Sequence, residues 1–333
     1  MEDMNFYEGK NVLVTGGAGM IGRYVVDDLI NRGANVRVAD LCDESRVHPD
    51  ADFIKGDLRF YDNCRDACSG MDYVFSLIGL KCSPKTVQER PSTIMTNFLR
   101  FNTNMMEAAH KEGVERYLYT STVGVYSPAE VFKEEDVWKG FPSKNDWYGG
   151  WAKRIGELQL ETYAKEFEWD KTAIVRPANV YGAYDNFDEG SAMVVPSLIR
   201  MALSGESPLE VWGDGSPIRD FIHAKDVARG MLMAVEDAPG PFLPMNLGSG
   251  CGYSIKNLVD CVVGNLDEKP EVKWLTDKPS GDKKRVFDIS RARDLIGWGP
   301  EISLMEGIRD TMNWYKENRD IVDKRYDVFK ENE

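Results

Sequence analysis

The sequence is poor in the residues that build metal centres and disulfide frameworks. It has only three histidines in 333 residues, and its six cysteines are scattered without a Cys-x-x-Cys pair. No histidine lies at metal-ligand spacing from a cysteine, so we do not expect a metal site. We interpret the cysteines as free thiols of a protein in a reducing compartment.

Long apolar runs and an excess of positive charge are also missing. No stretch approaches the roughly 18 apolar residues of a membrane-spanning helix. The segment 1–10 lacks the apolar core of a secretion signal, and we expect a cytoplasmic protein. The 55 acidic residues exceed the 41 basic ones and leave a net charge of −14. Such a surface repels phosphate backbones, which argues against nucleic-acid binding.

The chain does contain short apolar runs that alternate with helical patterns. This alternation predicts an α/β fold in which helices cover a parallel sheet. The predicted strands are 11–15, 35–39, 51–55, 73–77, 116–120 and 172–175. The predicted helices are 20–32, 92–112 and 151–166. Past residue 180 the pattern changes to turns and shorter elements.

The motif GGAGMIG follows the first predicted strand and opens the first predicted helix. Glycines at Gly16, Gly19 and Gly22 permit a tight turn, close backbone approach to a pyrophosphate and close helix-on-sheet packing. The helix begins at Met20 and Ile21, where unpaired amides and the positive end of the helix dipole favour phosphates. The motif predicts a dinucleotide site, and the alternative is a turn without ligand.

Acidic residues after the next two strands refine that prediction. Asp40 ends the second strand, where a carboxylate can accept hydrogen bonds from the adenosine ribose and repel a 2′-phosphate. NAD is therefore predicted rather than NADP, although Arg37 and Arg46 nearby leave NADP open. Asp57 and Leu58 follow the third strand and are candidates for adenine contact, with a helix cap as the alternative for the aspartate.

Seven motifs in the same order resemble the extended short-chain dehydrogenase/reductase family, specifically its NAD-dependent sugar-nucleotide epimerases and dehydratases. They are TGGAGMIG (15–22), GDL (56–58), TSTVGVY (120–126), WAKRIGE (151–157), RPANVYG (176–182), RDFIHAKDVA (219–228) and GDKKRVFDISRARDLIGW (281–298). The resemblance implies a Rossmann-type, doubly wound sheet and a nucleotide-diphosphate sugar as substrate. It also implies a homodimer paired through the helices near 92–112 and 151–166.

Two domains are expected from this organisation. A Rossmann domain that binds NAD covers 1–178, and 221–245 returns to it. A smaller α/β domain for the sugar nucleotide comprises 179–220 and 246–333.

By resemblance, a hydroxyl residue, a tyrosine and a lysine cooperate around the nicotinamide. Thr122 matches the group that hydrogen-bonds the sugar oxygen being oxidised. Lys153 matches the lysine that binds the nicotinamide ribose and lowers the pKa of the tyrosine.

The tyrosine departs from the family pattern Tyr-x-x-x-Lys, since position 149 is glycine and the nearest tyrosine is Tyr148. On a regular helix this extra residue turns the side chain by roughly 100°. We expect the helix to begin late or bulge at Gly149-Gly150, so that Tyr148 reaches the sugar as a catalytic residue. The alternative is that Tyr148 only packs beside Trp147.

The resemblance also assigns substrate contacts. Asn179 matches an asparagine that binds the diphosphate, and Arg219 and Arg285 match arginines that contact the nucleotide and its phosphates. These arginines would provide the positive charge that an acidic chain needs for an anionic substrate, although each could instead form a surface ion pair. Lys81, in the loop after Gly79, is a further candidate to face the sugar.

The residues that are missing near Thr122 indicate which reaction of the family this chain catalyses. Sugar 4,6-dehydratases place acidic residues where this chain has Val123-Gly124, which disfavours dehydration. The segment 179–200 resembles GDP-fucose synthase, but the epimerising cysteine and histidine of that enzyme would fall at Gly124 and near Met193. The resemblance therefore implies 4-epimerisation of a UDP-hexose through transient hydride transfer at C4. Alternatives are a dehydratase or oxidoreductase on a UDP- or GDP-sugar with altered tyrosine chemistry, and a non-catalytic NAD or sugar-nucleotide binding protein.

Overall fold

Short apolar runs pair in parallel to build the central sheet. The computed structural model describes residues 6–80, 87, 89–278 and 282–322. The strands are β1 (Asn11–Thr15), β2 (Asn35–Asp40), β3 (Asp52–Lys55), β4 (Tyr73–Ser76), β5 (Arg116–Thr120), β6 (Val131–Phe132), β7 (Thr172–Pro177), β8 (Asn179–Tyr181), β9 (Leu209–Trp212), β10 (Ile218–Arg219), β11 (Phe221–His223), β12 (Met245–Leu247), β13 (Tyr253–Ser254), β14 (Val272–Leu275) and β15 (Lys284–Phe287). The α-helices are α1 (Met20–Asn31), α2 (Tyr61–Cys68), α3 (Pro91–Lys111), α4 (Trp147–Phe167), α5 (Val194–Leu203), α6 (Ala224–Asp237), α7 (Ile255–Gly264), α8 (Ser290–Ile296), α9 (Leu304–Glu317) and α10 (Arg319–Val322).

Seven strands form one parallel sheet in the order β12-β7-β5-β4-β1-β2-β3. The strand order reverses at β1, and a ligand crevice opens at the carboxyl ends of the strands at such a point. Thr15 at the end of β1 lies opposite Ala39 of β2 and Ser76 of β4, so the turns after these strands meet there. The predicted Rossmann-type α/β fold is confirmed.

Helices cover both faces of the large sheet because its strands are apolar on both sides. The strand β1 is buried along almost its whole length, as expected of a central parallel strand. One face packs against α1 and α6 through side chains such as Val25 and Met231, and the other against α3 and α4 through Met105 and Leu160. None of the described helices is long and apolar enough to cross a membrane.

A second, four-stranded sheet has the order β13-β10-β15-β6. In it β10 runs antiparallel to β13 and parallel to β15, and β15 runs parallel to β6. The register sets Arg219 of β10 beside Arg285 of β15. The helices α5, α7 and α9 enclose a separate apolar core next to this sheet. The residue bounds of the two predicted domains stay a prediction.

The prediction for the helix that carries Lys153 is wrong at its start. The helix was expected over 151–166, but α4 runs from Trp147 to Phe167. Its first turn is closed by the amide of Gly150, which donates to the Asp146 carbonyl at 2.7 Å. Two glycines lower helix propensity but do not prevent helix formation when the turn is packed against neighbours. Gly149 and Gly150 are therefore helical residues, and a Cβ at Gly150 would lie only 2.3 Å from the Gly124 carbonyl oxygen.

Candidate functional site

The glycine-rich turn has the geometry that a dinucleotide requires. Gly16 adopts a φ of 68°, a conformation that favours glycine, and its amide donates to the Ala39 carbonyl at 2.9 Å. A Cβ at Gly22 would lie 2.3 Å from the Gly16 carbonyl oxygen, so only glycine allows this close approach. Gly19 precedes α1 without a side chain to cap it, which leaves the helix start accessible to a pyrophosphate.

Asp40 lies beside this turn, as predicted. Its Oδ2 accepts a hydrogen bond from the Ala18 amide at 3.3 Å, and its Oδ1 accepts one from the Leu41 amide at 2.7 Å. The carboxylate therefore joins the ends of β1 and β2 at the expected ribose position. Arg37, which left NADP open, donates from Nε to Asp52 at 2.8 Å and from a terminal nitrogen to the Ser69 carbonyl at 2.9 Å. These contacts direct its charge away from Asp40.

The two residues proposed for adenine are partly occupied by other contacts. Asp57 accepts from the Arg59 amide and from Arg59 Nε, both at 2.9 Å. Although burial opposes it, Arg59 lowers the pKa of Asp57. Leu58 lies in the core with 1% exposure. The cap alternative for Asp57 is wrong, because Phe60 is the residue that precedes α2.

Thr122 and Lys153 both lie near the carboxyl end of β5. Lys153 Nζ donates to the Thr120 carbonyl at 2.7 Å and lies 5.0 Å from the centroids of the Phe98 and Tyr119 rings. Thr122 begins a short 3-10 turn and accepts from the Gly124 amide at 3.3 Å. Burial lowers the pKa of Lys153 to about 7, against the opposing charge of Glu157.

Tyr148 is not on the face of α4 that carries Lys153. The late start or bulge at Gly149-Gly150 is wrong, since α4 is helical from Trp147 onward. Five residues separate the two side chains, which turns them about 140° apart on a regular helix. Tyr148 is 42% exposed, whereas Lys153 is 6% exposed. A catalytic role for Tyr148 stays a prediction.

Position 149 marks the place where the family tyrosine would lie. It is about 40° from Lys153 around the helix. A Cβ at Gly149 would make ordinary contacts, 3.8 Å from the Phe98 ring and 3.9 Å from Ile94. Trp147 packs instead against Phe141 and Trp151, on the outside of the helix start.

The two arginines predicted to bind the substrate lie in the second sheet, in β10 and β15. Arg285 donates to Asp282 at 2.6 Å, to Asp146 at 2.8 Å and to Ser143 at 2.9 Å. Burial alone would lower the pKa of Arg285, and the two carboxylates raise it above its ordinary value. Arg219 donates to the Asp282 carbonyl. Arg285 therefore lies beside two aspartates, which is the ion-pair alternative for this arginine.

Asn179 lies at the junction of the two sheets. Its amide nitrogen Nδ2 donates to the Asp220 carbonyl at 2.9 Å. The carboxylate of Asp220 is buried and accepts from Ser249 at 2.7 Å and from the Phe287 amide at 3.1 Å. Asn179 is thereby fixed next to the strands that carry the arginines. Lys81 lies outside the described residues.

Residues 12–248 match the NAD dependent epimerase/dehydratase family. The chain belongs to this family. Its members bind NAD, and we take NAD as the cofactor of this protein, because the Gly22 contact and Asp40 fit it.

Similar proteins cover several activities. The chain is 29% identical to dTDP-4-dehydro-6-deoxy-D-allose reductase of a Streptomyces species, over 93% of this chain and 97% of the relative. It is 27% identical to GDP-mannose 3,5-epimerase 1 of Oryza sativa subsp. japonica, over 93% of this chain and 82% of the relative. It is also similar to the structure of UDP-glucose 4-epimerase of Thermus thermophilus in complex with NAD. That comparison gives a TM-score of 0.78 and 26% identity, over 92% of this chain and 99% of the other.

A buried ion pair that sequence reasoning missed contacts Ser121, next to the turn that begins at Thr122. Glu157 accepts from Ser121 Oγ at 2.5 Å and from Arg176 at 2.9 and 2.6 Å. Arg176 also donates to the Tyr126 hydroxyl at 3.1 Å, and that hydroxyl donates to Asn246 at 2.5 Å. The Asn246 amide donates to the carbonyls of Phe132 and Asp288, at the edge of the second sheet.

The spacing of Glu157 was a signal for this network. Glu157 follows Lys153 by four residues and therefore lies on the same helix face. The contacts of Asp146 and Asp282 with Arg285 were harder to predict, because nothing in their local sequence indicates that both approach this arginine.

Proposed function

We propose that the protein is an NAD-dependent nucleotide-sugar epimerase, and that it inverts C4 of a UDP-hexose by transient oxidation. The observation that carries this proposal is the position of Thr122 and Lys153 at the carboxyl end of β5, next to β4 and one strand from the glycine-rich turn. When bound, NAD supplies a reversible hydride acceptor at the sugar carbon. Thr122 would orient the sugar hydroxyl, and Lys153 would hold the nicotinamide ribose.

The second sheet would hold the nucleotide diphosphate. Arg219 and Arg285 present guanidinium groups, which suit phosphate oxygens better than an ammonium does. Asn179 lies near β10, which carries Arg219, because its Nδ2 donates to the Asp220 carbonyl. This arrangement supports a substrate that extends from the nicotinamide to the second sheet.

Proton magnetic resonance tests the reaction directly. Purified protein is incubated with NAD and UDP-galactose, and separately with UDP-glucose, while the anomeric proton signals are followed. We expect each sugar nucleotide to convert into the other without a change in mass. A Lys153→Met variant is the control for contaminating epimerase. Failure to interconvert any UDP- or GDP-hexose, with NAD bound, would contradict the proposal.

A reductase is the second candidate, favoured by two observations. One curated relative is a reductase of a keto sugar nucleotide, and position 149 lacks the expected tyrosine. A reductase would consume stoichiometric NADH with a 4-keto sugar nucleotide and add two hydrogens to the product, whereas an epimerase consumes none. Product mass and NADH absorbance distinguish the two.

We also propose that the protein is a homodimer paired through α3 and α4. The supporting observation is that α4 exposes apolar side chains on its outer side, with Ile155 40% and Leu158 44% exposed. Light scattering of the purified chain should give twice the monomer mass of 37.6 kDa. A monomer would contradict this part of the proposal.

A further inference from the structure

Oxidation of a sugar hydroxyl needs a group that takes the hydroxyl proton. The helix α4 offers no tyrosine on the face of Lys153, because residue 149 is glycine. Lys153 itself donates to the Thr120 carbonyl. A side chain near Thr122 on the substrate side could exchange the proton in place of a tyrosine at position 149.

Asp146 is a candidate for this group because of its direction on the helix. It immediately precedes α4 and lies seven residues before Lys153. Seven residues are close to two helical turns, so its direction around the axis differs from that of Lys153 by only about 20°, and it lies about 10 Å from Lys153 along the axis, toward the helix start. Tyr148 differs by about 140° on the same scale.

The position of Asp146 relative to the turn at Thr122 also supports this role. A Cβ built on Gly124 would lie 3.1 Å from Asp146 Cβ and 3.4 Å from Asp146 Oδ1. The Gly124 amide donates to Thr122 Oγ1. The carboxylate therefore lies beside Gly124, two residues after Thr122. It supplies an acidic group at this turn, where the local sequence Val123-Gly124 has none.

The carboxylate is also held in one orientation. Ser143 Oγ donates to Asp146 Oδ2 at 2.9 Å, and Arg285 donates to the same oxygen at 2.8 Å. The other oxygen, Oδ1, is the one on the side of Gly124. The side chain is 31% exposed, so a bound sugar can reach it. Fixing one oxygen from behind leaves the other preorganised for proton transfer.

We propose that Asp146 is the acid–base residue that exchanges a proton with the sugar hydroxyl, in the place of the missing tyrosine. This inference rests on the proposed function. As the sugar carbon loses its hydrogen as hydride to NAD, the O–H bond breaks and its proton goes to Asp146 Oδ1. The products are a ketone and a neutral carboxylic acid. The return step transfers the proton from Asp146 back to the oxygen when the carbon regains hydride.

The test compares Asp146→Asn with Tyr148→Phe in the epimerisation assay. General acid–base groups contribute about 10²–10⁴-fold to the rate, so Asp146→Asn should lower kcat by at least about 100-fold. Tyr148→Phe should lower kcat by much less. Asp146→Glu keeps a carboxylate and should retain more activity than the asparagine variant. NAD titration and circular dichroism of each variant check that the cofactor site and the fold are intact.

Asp282→Asn is the matched control for the loss of an ion pair. This substitution removes the other carboxylate that pairs with Arg285. Because Asp282 is not the carboxylate beside Gly124, we expect the substitution to change KM rather than kcat. A folded Asp146→Asn variant with the kcat of the unaltered enzyme would overturn the inference, as would a larger loss in Tyr148→Phe. If the unaltered enzyme converts no nucleotide sugar, the proposed function fails together with this inference. Turnover that is insensitive to Asp146→Asn overturns the inference alone.

Discussion

The cofactor half of the site and the half that we propose binds the substrate, called the substrate half below, are built in different ways. In the cofactor half, the glycine-rich turn and Asp40 come from the first two strands and bind each other over short sequence distances. In the substrate half, Arg285 contacts Ser143 and Asp146 across about half the chain. A local turn is encoded in consecutive residues, whereas a balance of charges depends on the whole fold. The predictions below test this difference.

The largest effect is expected where the two halves join, at the buried pair of Glu157 and Arg176. Both side chains are almost fully buried, at 2% and 1% exposure. Glu157→Gln would leave the guanidinium buried without a counter-charge, so we expect a loss of about 3–5 kcal/mol in the free energy of unfolding. Urea denaturation measures it.

Glu161→Gln is the matched control, one turn further along α4 and only half-buried. It should change the free energy of unfolding by no more than about 0.5 kcal/mol. If both substitutions changed the free energy of unfolding equally, the buried pair at Glu157 would not be the contact that holds the two halves together.

A smaller effect, confined to the cofactor half, is expected for Gly22→Ala. The new Cβ would approach the Gly16 carbonyl oxygen to 2.3 Å, and the turn would have to shift. Overpacking of this kind costs about 1–3 kcal/mol, so NAD should bind about 10–100-fold more weakly by calorimetry. Gly56→Ala is the control, because its Cβ would meet Asn63 at an ordinary 3.6 Å. Equal NAD affinity in both variants would contradict the close approach.

The same contrast explains how far the sequence could predict the structure. The sheet, the dinucleotide turn and Asp40 were predictable because a strand, three glycines and an acid at the next strand end specify geometry locally. The start of α4 was not predictable from the sequence. Its two glycines disfavour a helix, and the helix forms there because it packs against residues from other parts of the chain. Glu157 had a local signal in its spacing from Lys153.

The aspartates at Arg285 could not be predicted from spacing. Asp146 reaches Arg285 only because β15 of the second sheet brings the arginine to the start of α4. Sequence reasoning identified the arginines as a source of positive charge and left ion pairs open, but it did not identify Asp146 and Asp282 as the partners of Arg285. A motif thus indicates which side chain is present, and the fold decides its electrostatic environment.

The pH dependence of activity tests the cofactor half through Lys153. Because burial lowers the pKa of Lys153 to about 7, its ammonium group is charged below that pH and becomes neutral above it. If the charge holds the nicotinamide ribose, kcat/KM should fall about tenfold per pH unit well above pH 7. The nearby carboxylate of Glu157 opposes the shift. A flat profile from pH 6 to about 9 would show that the charge of Lys153 is not needed.

The smallest effect is expected for Asp282→Asn, which tests the charge balance of the substrate half. The substitution removes one of the two carboxylates beside Arg285 and leaves Asp146 in place. Arg285 is then less neutralised, and UDP should bind a few-fold more tightly at low salt, with the gain shrinking as salt screens the charges. Asp277→Asn, on an exposed side chain, is the control. Weaker binding would show that Asp282 positions the guanidinium rather than competing with phosphate for it, and the substrate half would then be as preorganised as the cofactor half.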